Sequence, residues 1–148
     1  MWEFDSSLVT PANRERVWEL WTDISAWPEF NPGIRQASLE GPFGPGAVGS
    51  SRASGGPPSK LRVVTVEPGH MFVTETPLPL ATLRFEHRIE PADDGRLMVT
   101  MGVRMTGPAT PFFRRVIGPR LEASVPEALR NLSELATTGN ETHFVETN

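Results

Sequence analysis

The chain reads as an α+β fold in which a seven-stranded antiparallel sheet wraps around one long C-terminal helix, with two short helices between strands one and two. Apolar residues alternate with period two in segment after segment, as half-buried strands do. Turn-forming clusters of Gly, Pro and Asp separate those segments. Only one long stretch has helical apolar spacing, from Phe112 to about Ala136, and it comes last. A meandering sheet has one face to cover, and this helix is the one long amphipathic element that can cover it.

Trp2 to Val9 carries Trp2, Phe4 and Leu8 on one side and is the expected first strand. Thr10-Pro11 fits an N-cap followed by proline in the first turn, and Val17, Trp18, Leu20 and Trp21 give the helix after it an apolar stripe. Asp23 is expected to cap a second short helix that ends before Pro28. Strands are expected at Ile34–Leu39, Val48–Ser54, Leu61–Val66, Met71–Thr76, Thr82–Glu90 and Arg96–Met105. Gly41 to Gly46, Gly55 to Pro58, Glu67 to His70, Pro77 with Pro79, and the hairpin signal Asp93-Asp94-Gly95 punctuate them. Pro119 and Pro126 should bend or fray the final helix, because each removes a backbone donor. Residues 1–138 then form a single helix-grip domain, and 139–148 a polar, mobile tail.

The 148 residues suit one core, and 38% hydrophobic with 22% charged residues marks a globular chain. The net charge of −4 argues against nucleic acid, whose phosphates need a concentrated basic surface. It also disfavours a membrane-docked carrier, and no run is long enough for stable membrane insertion. Cys and Tyr are absent, which excludes disulfides, thiolate chemistry and a phenolic acid. Met1 to Val9 lacks the basic, apolar, small-residue succession of a signal segment, so a cytoplasmic location is expected. The sequons at Asn131 and Asn140 carry no meaning in that setting.

Thr10-Pro11-Ala12 through Val17-Trp18, then Asp23, Trp27-Pro28 and Phe30-Asn31-Pro32-Gly33, resemble the N-terminal motif of the START-like, helix-grip superfamily SRPBCC, and within it the polyketide cyclase/dehydrase family. Phe85-Glu86-His87 and the proline-bounded last helix resemble its later landmarks, so the likeness runs from Phe4 to about Ala136. It implies a deep pocket for an apolar or aromatic small molecule. It does not settle function, since the same shape serves carriers, hormone-binding proteins, cyclases and chaperone activators.

His87 is the first candidate for chemistry. It shares the apolar face of its strand with Leu83, Phe85 and Ile89, so it is either a satisfied core residue or a general acid/base in a pocket. Glu75 shares a face with Met71 and Val73; it can pair with His87, or stand as an exposed acid before Pro77. Arg52 and Arg62 can anchor a substrate carboxylate or enolate if they point inward, and alternation does not decide their direction. Trp27 packs the helical corner, and with Phe85, Met71 and Met101 it is a candidate pocket wall. Phe113, Ile117, Leu121, Ser124 and Val125 form the helix side, with Ser124 the hydroxyl able to meet a ligand. His70, His87 and His143 lack ligand spacing, so no metal site is expected, and Gly44 to Gly49 only formally matches a dinucleotide loop because Pro45 removes a donor.

The leading expectation is a cyclase or dehydratase of a polyketide-like substrate, with His87 moving the proton and Glu75 or Arg52 assisting. No cofactor enters that scheme. The alternatives are a non-catalytic carrier or sensor of lipids or aromatic metabolites, and a protein-interaction module with a filled interior.

Overall fold

The computed structural model describes residues 1–53 and 56–147, with side chains described through Thr137. The order is β1 (Trp2–Thr10), α1 (Arg14–Thr22), a 3-10 helix (Ile24–Glu29), β2 (Ile34–Leu39), β3 (Val48–Ala53), β4 (Pro58–Glu67), β5 (Met71–Leu78), β6 (Ala81–Pro91), a short 3-10 turn (Asp93–Gly95), β7 (Leu97–Thr106) and α2 (Thr110–Thr147). One seven-stranded sheet runs β1-β7-β6-β5-β4-β3-β2, and every pairing is antiparallel. This is the helix-grip arrangement the element order predicts.

Strand alternation explains the layers. Leu97, Val99, Met101, Val103 and Met105 of β7 are all buried, and Trp2, Phe4 and Leu8 of β1 pair with Met105, Val103 and Val99 on the same face. α2 covers that face with Val125, Leu129, Leu132 and Ala136, and α1 adds Val17, Leu20 and Trp21. Where α2 crosses β1, Gly118 faces Trp2, and a Cβ there would stand at an ordinary contact distance of 3.5 Å from the indole.

Several boundaries differ from the expectation. The cap of α1 is Asn13, whose Oδ1 accepts the Arg16 N–H at 2.7 Å. Thr10 instead ends β1, with its hydroxyl accepting the Ala12 N–H at 3.2 Å and bonding to Ser133 of α2. Asp23 precedes the 3-10 helix without a side-chain cap; its carboxylate accepts the Ser25 hydroxyl, and the helix includes Pro28. β5 continues through Pro77, and α2 continues through both Pro119 and Pro126. The end of the expected third strand, Ser54, and the expected mobile tail, 139–148, lie outside the fully described residues.

Candidate functional site

A row of register partners crosses the inner face of the sheet: Ser6 opposite Met101, Met101 opposite His87, His87 opposite Phe72, and Phe72 opposite Val66. His87 sits at its centre and is 1% exposed. Phe72 stacks on it at 4.2 Å with planes 7° apart. Trp27 lies on another side at 5.7 Å and 28°, and Trp21 meets it edge-on at 5.2 Å. The imidazole is thus held in an aromatic cage built from β5, α1 and the 3-10 helix.

Burial in that cage pushes the His87 pKa from 6.5 down to about 3, and a hydrogen-bonding interaction with the Phe72 backbone offsets a part. The ring is neutral at pH 7. Its Nδ1 is buried and finds no hydrogen-bond partner among the described residues. An unpaired polar atom in an apolar interior carries a desolvation cost of about 1–3 kcal/mol.

His87 borders a cavity of about 10 Å³ between α2 and the sheet, lined also by Trp21, Trp27, Phe30, Asn31, Met101, Ala128 and Leu129. That space suits one water and no larger molecule. Among the described residues, no carboxylate, arginine or lysine lines it. The corner after the 3-10 helix closes one side. Trp27 fixes it by donating its indole N–H to the Trp21 carbonyl at 2.9 Å, and Asn131 of α2 donates its amide to the Phe30 carbonyl at 3.0 Å. Asn31 folds back to accept the Gly33 N–H at 2.9 Å. Ser124 packs so closely on this corner that a Cβ on Gly33 would meet its Oγ at 3.0 Å.

The other candidates distribute between the two faces. Trp27 and Met101 join His87 at the cavity. Phe85 shares the inner face, and Val125, Phe113 and Leu121 pack into or against the core. Ile117 is half-buried on α2. Glu75 lies on the outer face instead. Its carboxylate accepts Arg62 at 2.9 Å and Arg84 at 2.8 Å, and these guanidiniums, Arg62 first, lower its pKa against partial burial. Met71 and Val73 alternate with Phe72 and so share the outer face with Glu75. Arg52 is exposed and donates to the Gly56 carbonyl. The structure therefore does not bring Glu75, Arg52 or Arg62 to His87.

Sequence reading missed Phe72 as the ring stacked on His87, and Trp21, Phe30, Asn31, Ala128 and Leu129 as walls of the cavity. Phe72 was findable: the turn Glu67–His70 sets the β4–β5 register, and the β5–β6 hairpin then places it opposite His87. Asn31 and Ala128 depend on how the corner docks on α2, which no local pattern encodes.

Solved structures share this architecture. Norcoclaurine synthase from Thalictrum flavum, in complex with dopamine and hydroxybenzaldehyde, superposes with a TM-score of 0.69 at 13% identity, over 93% of this chain and 87% of that one. A Thermobifida fusca protein solved by NMR gives 0.71 at 24% identity, over 92% and 93%. The di-domain ARO/CYC StfQ from the steffimycin biosynthetic pathway gives 0.71 at 17%, over 94% of this chain and 51% of that one. No curated protein sequence matches the chain. The profile of the family described as polyketide cyclase / dehydrase and lipid transport matches residues 1–137, and the chain belongs to that family.

Proposed function

We propose that the chain binds a small apolar or aromatic molecule between α2 and the sheet beside His87, and acts on it as a cofactor-independent cyclase or dehydratase. The observation that carries this reading is the buried His87 with its Nδ1 unpartnered among the described residues, on a cavity lined from both helix and sheet. Family membership and the shared fold support a ligand of this class. Ligand uptake requires the aromatic cage to part, since the closed cavity suits only a water. Parting has an electrostatic consequence. Burial is what holds the imidazole pKa near 3, so a polar ligand or water beside the ring returns it toward 6.5. Near that value His87 accepts a proton from an activated carbon and returns it to a departing hydroxyl. The cage walls would hold a flexible chain folded for aldol-type closure.

A carrier or sensor is the second reading. It is favoured by the absence, among the described residues, of any second titratable side chain on the cavity. One experiment separates the two. The protein is incubated with poly-β-keto thioesters and aromatic aldehydes, and both bound and released species are followed by mass spectrometry. Turnover that falls at least about 100-fold in His87→Gln supports proton transfer. Release of unchanged ligand by the parent protein supports the carrier.

A further inference from the structure

Leu80 contributes nothing to the fold that a smaller residue would not. It sits in the two-residue turn between β5 and β6 with φ of 58°, a left-handed conformation that Gly or Asn adopts at lower cost, and its side chain is 74% exposed. The turn is docked on the start of α2. Ala109 donates its N–H to the Leu80 carbonyl at 2.9 Å, and Gly107 is forced to be glycine because a Cβ would lie 2.8 Å from that same oxygen. One helical turn on, Phe112 is 63% exposed, and Val116 below it is 50% exposed. Three large apolar side chains thus stand in water at one end of the molecule.

The charge around them is one-sided. Arg114, Arg115 and Arg120 are all exposed on the same stretch of α2, and none forms an ion pair among the described residues. No Asp or Glu occurs from Gly95 to Leu121, in a chain whose net charge is −4. Arg115 and Arg120, three residues from Phe112 and four from Val116, flank the apolar tips on one side of α2, while Arg114 lies on the other side. Tips flanked by free arginines match a surface that is oily below and anionic above. We propose that this end docks peripherally on an anionic lipid bilayer. Leu80, Phe112 and Val116 enter the acyl boundary, and the arginines meet headgroup phosphates. The acidic balance of the whole chain does not oppose this, because screening confines the interaction to charges within about 8 Å of the surface at physiological salt.

The test is flotation of the intact protein with vesicles of phosphatidylcholine alone and of phosphatidylcholine mixed with phosphatidylglycerol. Binding to the mixed vesicles only, with release at high salt, is expected. Arg115→Glu with Arg120→Glu should weaken it at least about 30-fold. Leu80→Asn should weaken it while Tm holds or rises, since Asn tolerates the turn better; this variant carries no folding risk. Absence of binding to anionic vesicles at low salt, equal binding to both vesicle types, or unchanged binding by these variants would overturn the proposal. So would sedimentation velocity showing a dimer that Phe112→Ser converts to monomer, because a second copy would then be what covers the patch.

Discussion

Phe72 and His87 stack face to face across β5 and β6, 4.2 Å between ring centres and 7° from parallel. This contact removes water from one whole side of an ionisable ring, and the indoles of Trp21 and Trp27 remove it from others. The neutral imidazole tolerates that; the imidazolium loses its hydration and finds no carboxylate among the described residues lining the cavity to replace it.

Stability should therefore depend on pH through His87. Its folded pKa of about 3 lies below the unfolded 6.5, so the unfolded chain binds the extra proton between those values. The contribution is complete above pH 6.5 and is lost as pH falls toward 3. The slope approaches ~1.4 kcal/mol per pH unit, or about 2–3 kcal/mol by pH 4.5. Urea unfolding of the parent and His87→Leu at pH 7 and 4.5 isolates it, because the carboxylates titrate in both proteins. Equal pH slopes in the two would show that the ring is not held neutral by burial.

Phe72→Ala should both destabilise the protein and release the histidine. Phe72 is fully buried and also touches Trp18, Trp21 and Phe43, so truncation costs about 3–5 kcal/mol. The space it leaves adjoins His87, and water admitted there raises the imidazole pKa toward 6.5. An NMR titration of the His87 Cε1 proton reads the shift directly. Phe72→Leu should give a smaller shift in the same direction. A ring that stays neutral to pH 4 in Phe72→Ala would mean that the rest of the cage alone excludes water.

Glu75→Gln should leave ligand binding and any turnover within about twofold of the parent, and cost only about 0–1 kcal/mol. Its partner Arg62 is 60% exposed, so solvent weakens the pair, and the whole cluster lies across the sheet from His87. Glu75 has a lowered pKa, so its small contribution is present above pH 4.5 and is lost as pH falls below that value. Activity assays and thermal melts check both parts; a large loss of turnover would place Glu75 in the chemistry despite its position.

The contrast between Glu75 and His87 marks where sequence is legible. Alternation in Leu83–Ile89 identified the buried face of β6 and put His87 on it, because one strand reports its own two faces. It could also group Glu75 with Met71 and Val73. It could not say which face of β5 pointed inward, since Phe72, Thr74 and Thr76 are a mixed set and Val73 is itself buried. Only the pairing of Phe72 with His87 decides that. Element order and the final helix were legible for the same local reason, whereas Thr10 and Asn13 competed for one cap within three residues. The size of the cavity was not legible. It depends on how far Trp21, Trp27 and Phe72 lean onto His87, a matter of tertiary packing.

Asn131 ties the corner that shuts this cavity, so Asn131→Ala should loosen access to His87. The amide bond to the Phe30 carbonyl joins α2 to the chain between Trp27 and Gly33. Its loss costs about 1 kcal/mol. Trp27 keeps its own bond to Trp21, so the cage wall stays in place while the loop beyond it opens more often. Amide exchange at Asn31 and Ile34, whose N–H groups bond within this corner to Trp27 and Asn31 carbonyls, should quicken by about fivefold while exchange in β7 is unchanged. Uptake of an aromatic ligand, followed by quenching of tryptophan fluorescence, should quicken by a similar factor with little change in affinity. Faster exchange at the corner without faster uptake would show that ligands reach His87 by another route.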